Sequence, residues 1–147
     1  HENLETYKRY QLPFSVIMMD LDKLKLLNDE YGHQTGDLAL MHLATIMKEE
    51  KREIDTAVRY GGDEFFLLLP GTETEAAKSL ARRISDRVRR VKLSTGGREM
   101  TSVSTGVVSC PQNGDDVGAL RYKADQALYL AKKSGGGAVA GFQEKAS

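Results

Sequence analysis

The sequence has little of several features that would assign it to a special class of protein. Lys plus Arg and Asp plus Glu number 21 each among 147 residues, so the formal net charge is zero. A chain without net charge has no overall field that attracts nucleic acid, and any binding of an anion must be local. No apolar run approaches the length of a membrane span. We therefore expect no nucleic-acid partner and no direct membrane contact by this chain.

Cysteine is nearly absent. Cys110 stands alone and cannot form an intramolecular disulfide, which fits a reducing compartment, and we expect a cytoplasmic protein. The length and the 40% hydrophobic content fit one soluble domain, residues 1–147. Because the chain starts at His1 rather than Met, we expect it to be a piece of a longer protein with an upstream sensory domain.

Two adjacent glycines and two adjacent acids lie between apolar segments at residues 56–70. Gly61 and Gly62 can take positive φ at little steric cost, so TAVRY and EFFLLLP are predicted to be the arms of a β-hairpin. Asp63 and Glu64 then lie at its tip. Neighbouring carboxylates repel each other unless a cation or a donor neutralises them. This favours a metal or phosphate site, and an ordinary solvated turn is the alternative.

After a polar helical start, the apolar run at 14–19 predicts a strand that is buried on both faces. Asp20 is expected to end this strand and Asp22 to cap the following helix, which stops at Gly32. A second helix is expected from about 35–37. Its predicted core stripe is Leu40, Leu43, Ala44 and Met47.

The second half of the chain predicts a long basic helix, a strand, another helix and a short strand. Thr72 is expected to cap the basic helix, whose buried stripe is Ala76, Leu80, Ile84 and Val88. In the strand TSVSTGVVS, Gly106 permits close backbone approach. The helix 117–133 is expected to bury Leu120, Ala124, Ala127, Leu128 and Ala131. The order β-α-α-β-β-α-β-α-β predicts an α+β domain of ferredoxin-like type, with a mixed sheet flanked by helices.

Three motifs occur in order: DLDKLKLLNDEYGHQTGD at 20–37, RYGGDEF at 59–65 and ADQALYLAKKSG at 124–135. Together they resemble the linked signatures of the GGDEF family, the diguanylate cyclases. The match extends from about Pro13 to Phe142. One such motif could arise by chance, but the set is specific. The resemblance implies a sheet of the nucleotide-cyclase type.

The resemblance implies a metal site. Mg²⁺ prefers hard oxygen ligands and keeps waters and phosphates in its shell, so two carboxylates and a backbone carbonyl would suffice. By resemblance, Asp20 and Asp63 hold Mg²⁺ or Mn²⁺ with the main chain of Leu21. Asp63 and Glu64 are the implied catalytic residues, with Glu64 either a further ligand or the base for the attacking 3′-hydroxyl.

The resemblance also implies a GTP site. Guanine presents N1–H and N2–H₂ donors side by side, which one carboxylate can accept together. By resemblance Asp37 takes this role and Asn28 adds a hydrogen bond. The alternatives are that Asp37 is a first-turn acid favoured by the helix dipole and that Asn28 is a helix-end residue.

Triphosphate binding requires cations. By resemblance Lys25 and Lys132 contact the phosphates, and the N-terminus of the helix that starts near Lys23 can add N–H donors. The sequence departs from the family where Gly136 and Gly137 replace a common Arg-Asn pair, so one cation is missing. Its loss is expected to raise the KM for GTP more than it lowers turnover.

Arg52 and Asp55 form an Arg-x-x-Asp pair shortly before the hairpin tip. By resemblance this pair binds the product, cyclic di-GMP, at an inhibitory site to which Arg83 adds a further cation. A surface ion pair is the alternative. The other basic residues of the helix around Arg83 are expected to form a solvated face.

The resemblance as a whole implies a diguanylate cyclase that condenses two GTP into cyclic di-GMP and two pyrophosphates in a transient homodimer. One alternative is a non-catalytic module that binds cyclic di-GMP or GTP, which Gly136 favours and the intact Asp20, Asp63 and Glu64 oppose. A second alternative is a cyclase of relaxed base choice that makes a mixed guanine-adenine product, against which Asp37 argues.

Overall fold

The computed structural model describes residues 5, 9, 12–60, 62–91 and 102–142. Residues 5 and 9 are helical, in line with the predicted helical start. The conformation of Gly61 and the predicted end of the basic helix at 94–97 lie outside the described residues.

The described elements follow the predicted order. They are β1 (Phe14–Leu21), α1 (Leu24–Tyr31), α2 (His33–Glu50), β2 (Thr56–Tyr60), β3 (Glu64–Pro70), α3 (Thr74–Arg90), β4 (Val103–Cys110), α4 (Val117–Lys133) and β5 (Val139–Gly141). Among the described residues, no helix combines the length and the apolar character needed to cross a membrane.

The five strands form one mixed sheet in the order β2-β3-β1-β4-β5. β1 lies in the centre and pairs antiparallel with both β3 and β4, while β5 adds in parallel to β4. The predicted hairpin is confirmed, because β2 and β3 pair antiparallel from Thr56 with Leu68 to Tyr60 with Glu64. The first four strands have the ferredoxin-like order, which confirms the predicted fold class.

Side chains of β1 alternate between two helical layers. Ile17 and Met19 belong to the main core with residues of α2 and α3, whereas Met18 packs with Ala124 and Leu128 of α4. Because helices cover both faces, the central strand reads as an apolar run rather than as an alternating one. The predicted inward residues of α4 are all buried.

Three predictions in the helices were wrong. Ala44 and Ala76 are exposed, while the buried stripes of α2 and α3 pass through Ile46 and Ala77 instead. Consecutive residues of a helix are rotated by about 100°, so a residue next to a buried one can lie on either side of the edge of the buried face. Alanine is compatible with both environments, so the sequence did not show on which side these residues lie. α2 also begins at His33, earlier than expected.

Thr72 was also predicted wrongly, because it does not cap α3. The helix begins at Thr74, and its N-cap residue, Glu73, makes no side-chain hydrogen bond to the helix. The hydroxyl of Thr72 instead accepts a hydrogen bond from Arg52 and lies 3.3 Å from the carbonyl of Pro70. Thr72 therefore fixes the loop after β3.

Gly106 is required where α4 crosses β4. A Cβ atom at this position would lie 2.6 Å from the backbone nitrogen of Leu128 and 2.8 Å from the carbonyl oxygen of Ala124. The absence of a side chain thus lets the helix backbone contact the sheet, which confirms the predicted close approach. This contact sets the position of α4, whose last turn carries Lys132.

We expect Gly106→Ala to destabilise the protein by about 1–3 kcal/mol, because the methyl group would meet backbone atoms that cannot move independently. The measurement is urea unfolding followed by circular dichroism. Gly118→Ala is the matched control, since the nearest atom to its Cβ is a carboxylate oxygen of Asp116 at 3.2 Å. Equal stability of Gly106→Ala and wild type would show that α4 does not pack as described.

Candidate functional site

The sheet brings the predicted acids together at one end. Asp20 of β1 pairs with Glu64 of β3, and Asp63 precedes Glu64 in the hairpin turn. Asp20 also neighbours Ser104 of β4 on its other side. The register therefore brings three acidic residues, two from strands and one from the hairpin turn, to the same end of the sheet.

The carboxylate of Asp20 lies in a largely buried position, with 18% of the side chain exposed. Its Oδ2 lies 3.2 Å from Nζ of Lys132, at the end of α4. Its Oδ1 is buried and accepts no hydrogen bond from the described residues. Burial raises the pKa of Asp20, and the negative charges of Asp63 and Glu64 raise it further, while Lys132 opposes the shift.

This arrangement fits a divalent cation. A buried carboxylate oxygen without a hydrogen-bond donor can be compensated by a cation, and Lys132 already supplies one positive charge to the other oxygen. Leu21 follows Asp20 directly and is buried in β1. Within the described residues, no group of three or more His, Cys, Asp or Glu is arranged so that it could hold a metal ion by itself. Mg²⁺ does not require one, because phosphate oxygens and waters complete its shell.

Asp22 does not cap α1, contrary to the prediction. Lys23 is the N-cap residue, with a left-handed φ of 57°, and it makes no side-chain hydrogen bond to the helix. Asp22 is buried, and its carboxylate accepts hydrogen bonds from the hydroxyls of Ser102 and Ser104, both at 2.5 Å, and from the backbone N–H of Gly137 at 2.8 Å. Donors from β4, from the residue before it and from the loop after α4 thus outcompete the local helix end for this acid.

The turn at 135–137 accounts for the unusual glycines. All three residues have positive φ, and a Cβ at Gly136 would lie 2.8 Å from Oδ2 of Asp22. A Cβ at Gly137 would lie 2.9 Å from Nη2 of Arg89. A side chain at either position would be strained by the positive φ and would have to displace the side chain of Asp22 or Arg89, so the turn as it stands suits glycine.

The corner between α1 and α2 brings the predicted guanine residues close together. The side chain of Asn28 lies over Gly36, where a Cβ would come within 1.6 Å of its Oδ1. This oxygen is buried and has no hydrogen-bond partner among the described residues. Asp37 follows Gly36 and is exposed, as is Lys25 on α1. The side chains of Asn28 and Asp37 could therefore form hydrogen bonds with the polar groups of a heterocyclic ring.

Arg52 and Asp55 form a well-defined ion pair. The side chain of Asp55 is 1% exposed, and Oδ1 lies 2.7 Å from Nη2 of Arg52. The same Nη2 donates to the carbonyl of Pro70 and to Thr72, each at 2.7 Å. Arg83 lines the same pocket, of about 250 Å³, but pairs with Glu50 at 3.3 Å. The pocket therefore combines the three predicted residues, and here both arginines are held by carboxylates of the chain.

The prediction of a solvated face on the basic helix is wrong for Lys78, which is 5% exposed, whereas Arg87 and Arg89 keep exposed side chains that also bind the rest of the chain. Arg87 bridges Glu49 and Glu50 of α2, at 2.7 and 3.1 Å. Hydrogen bonding from Arg87 lowers the pKa of Glu50. Arg89 donates a hydrogen bond to the carbonyl of Gly137 and so fastens α3 to the glycine turn.

Sequence reasoning also missed Arg121. Its guanidinium carbon lies 5.2 Å from the centre of the Tyr60 ring, and hydrogen bonding to Tyr60 raises the pKa of Arg121. The charges of Asp125 and Glu64 act in the same direction. The spacing of Arg121 one helical turn before Asp125 was visible in the sequence, but nothing there related α4 to the hairpin tip.

Comparisons with known proteins identify the family to which this chain is similar. The sequence model of the diguanylate cyclase GGDEF domain matches residues 1–138. The chain is 38% identical over 122 residues to diguanylate cyclase A of Treponema denticola, covering 82% of this chain and 33% of that protein. It is 39% identical over 132 residues to the response regulator PleD of Caulobacter vibrioides, covering 88% of this chain and 29% of that protein. The active GGEEF domain of a diguanylate cyclase from Vibrio cholerae superposes with a TM-score of 0.90 at 30% identity, covering 98% and 92% of the two chains.

The fold and the acidic hairpin define the class, and the comparisons give its name: the chain belongs to the GGDEF family of diguanylate cyclases. It spans about a third of the length of the two curated relatives.

Ionised Asp20 is expected to cost stability. Its raised pKa means that the folded protein binds this proton more tightly than the unfolded chain does. The cost is therefore full above the raised pKa and disappears as the pH falls below the ordinary value of 3.8. We expect Asp20→Asn to be more stable than wild type at pH 7, with a difference that narrows on acidification.

Urea unfolding at a series of pH values measures this difference. Asp29→Asn, which removes an exposed acid from α1, is the control for the change in net charge. A difference that is absent at pH 7, or that widens as the pH falls, would contradict the assignment of Asp20 as a strained carboxylate.

Proposed function

We propose that this chain is a diguanylate cyclase domain that condenses two GTP molecules into cyclic di-GMP and two pyrophosphates. The observation that carries the proposal is Asp20, a buried carboxylate with one unpartnered oxygen among the described residues, placed opposite Glu64 and beside Lys132. A bound cation would compensate the charge of this carboxylate, which its neighbours in the chain compensate at one oxygen.

The acids at the hairpin tip would hold the metal and move the proton. Asp20, Asp63 and the carbonyl of Leu21 are the proposed ligands of Mg²⁺ or Mn²⁺. When bound, the metal supplies Lewis-acid stabilisation of the phosphoryl oxygens and of the departing pyrophosphate. Glu64, next to Asp63, is positioned either to add a ligand or to take the proton of the attacking 3′-hydroxyl.

The rest of the GTP would lie along α1. Asp37 would accept the N1–H and N2–H₂ donors of guanine, with Asn28 beside it on Gly36. Lys132 and Lys25 would bind the phosphates, together with the N–H groups at the start of α1, which no side chain caps. The glycine turn at 135–137 supplies no cationic side chain for the phosphates, so we expect weak binding of GTP.

Condensation would require two copies. Each domain holds one GTP, and in an antiparallel pair each 3′-hydroxyl attacks the α-phosphate of the opposite GTP, losing its proton while pyrophosphate leaves. Two phosphodiester bonds form and two pyrophosphates depart. A transient homodimer suffices, and alignment by an upstream domain would raise the rate through proximity.

The pocket around Arg52, Asp55 and Arg83 is the proposed site of product inhibition. Arginine can clamp a guanine O6/N7 edge or a phosphate, and Asp55 can accept from the N1/N2 edge. Occupation by cyclic di-GMP requires Arg52 and Arg83 to exchange the carboxylates that hold them here. Binding that favours a non-productive pairing of domains would be allosteric, since the two sites are separate.

Incubation with GTP and Mg²⁺ at high protein concentration, followed by chromatography of the products, tests the proposal. We expect cyclic di-GMP from wild type and at least about a hundredfold slower formation by Asp63→Asn, because a charge that stabilises the transition state is lost. Asp115→Asn is the control, since this exposed acid lies in the loop after β4, at the opposite end of the sheet.

If wild type forms no cyclic dinucleotide, the proposal that this chain is a cyclase would be contradicted. The remaining alternative would be a non-catalytic module that binds cyclic di-GMP or GTP. Titration with cyclic di-GMP and with a non-hydrolysable GTP analogue would then show which of the two pockets is used.

Asp37→Ala is expected to lose most of the preference for GTP over ATP, because adenine lacks the paired donors that the carboxylate accepts. The discrimination should fall by about tenfold or more, measured as the ratio of affinities for the two non-hydrolysable analogues. Asp29→Ala, another exposed acid of the same corner, is the control. An unchanged ratio in Asp37→Ala would remove this residue from the guanine site.

A further inference from the structure

Lys132 lies between two carboxylates that differ in their other contacts. Its Nζ is 3.2 Å from Oδ2 of Asp20 and 3.7 Å from Oδ1 of Asp22. Its side chain is 38% exposed and extends from the last turn of α4. A long side chain with an exposed stem can shift between two neighbouring acceptors by changing rotamer.

Asp22 is a fixed partner. Both of its oxygens accept hydrogen bonds, from Ser102, Ser104 and the N–H of Gly137, and the glycine turn encloses it. A Cβ at Gly136 would lie 2.8 Å from its Oδ2, so the glycine turn packs directly against the carboxylate. With its oxygens occupied and its position locked, Asp22 can attract a cation but cannot readily become a metal ligand.

Asp20 is an open partner. Among the described residues, Lys132 is its one cationic contact, and Oδ1 has no donor. A divalent cation that binds Asp20 would face the ammonium group of Lys132 at close range. Two cations that share one carboxylate repel strongly in a partly buried site, so one of them must move.

We propose that Lys132 is a place-holder for the metal on Asp20, and that Asp22 is the positioning residue that retains Lys132 when the metal takes its place. The proposal rests on the proposed function for the identity of the cation. Without metal, the ammonium neutralises Asp20. With metal, Lys132 moves to Asp22 and remains beside the site, where its charge can meet a phosphate.

One consequence is weak binding of metal to the protein alone. A metal ion must displace Lys132 from Asp20, and this displacement opposes metal binding. When a phosphate is present, the displaced ammonium group gains a new partner and the opposition is smaller. The nucleotide and the metal are therefore expected to bind with positive coupling.

Binding of Mn²⁺ alone, without nucleotide, tests the place-holder. We expect Lys132→Met to bind Mn²⁺ about tenfold more tightly than wild type, a coupling typical of groups in contact, measured by paramagnetic broadening of amide resonances around Asp20. Lys133→Met is the matched control. It removes the same charge one residue further along α4, where the Lys133 Nζ lies 6.0 Å from the centre of the Tyr129 ring. Equal affinities of the two variants, or no broadening around Asp20 in Lys132→Met, would overturn the proposal.

Asp22→Asn, made in two backgrounds, tests the positioning residue. Without the Asp22 charge, Lys132 has Asp20 as its remaining partner, so Mn²⁺ affinity should fall about fivefold or more in the wild-type background. In the Lys132→Met background the same substitution should change the affinity by less than about twofold. An equal loss in both backgrounds would identify Asp22 as a metal ligand and contradict the proposal.

Exchange of the Gly137 amide reports whether Asp22→Asn keeps the local fold, because this N–H donates to Asp22 in wild type. If Asp22→Asn unfolds, the Mn²⁺ affinities of Lys132→Met and Lys133→Met still test whether Lys132 competes with the metal for Asp20. None of these measurements uses GTP or turnover. A failed cyclase assay with the expected Mn²⁺ affinities would therefore remove the proposed function alone.

Discussion

The burial of one carboxylate constrains much of this structure. Asp20 lies next to last in the central strand, between β3 and β4, where burial raises the pKa of its carboxyl group. Lys132 compensates one oxygen, and the other accepts no hydrogen bond from the described residues. Such a group is costly in a purely structural role, because a neutral residue would fill the same space without the penalty.

The fold supplies each neighbour of Asp20 by a separate device. The antiparallel register of β1 and β3 places Glu64 opposite it, and the hairpin turn adds Asp63. Gly106 lets α4 approach the sheet closely enough for its last turn to reach the acids. The α1–α2 corner then presents Asn28 and its neighbours along the edge of the same site.

The sequence predicted what local patterns control. The apolar run of β1, the paired glycines and the stripe of α4 gave the strand, the hairpin and the packed face of the helix, because period and turn chemistry act over a few residues. The role of Asp22 could not be predicted this way. Its donors, Ser102, Ser104 and Gly137, are far away in the chain, so a local helix cap looked the better interpretation. The prediction that Ala76 is buried in α3 was wrong for a different reason, because alanine occurs on both the buried and the exposed side of a helix.

Crystals grown with Mn²⁺ and a non-hydrolysable GTP analogue offer the most direct measurement, because anomalous scattering locates the metal without reference to turnover. We expect an anomalous peak within coordination distance of Asp20 and Asp63, with Lys132 moved away from Asp20. A complex that holds the nucleotide while Lys132 still pairs with Asp20, and that shows no anomalous peak at this carboxylate, would contradict the assignment of Asp20 as the metal-binding residue on which the proposed function depends.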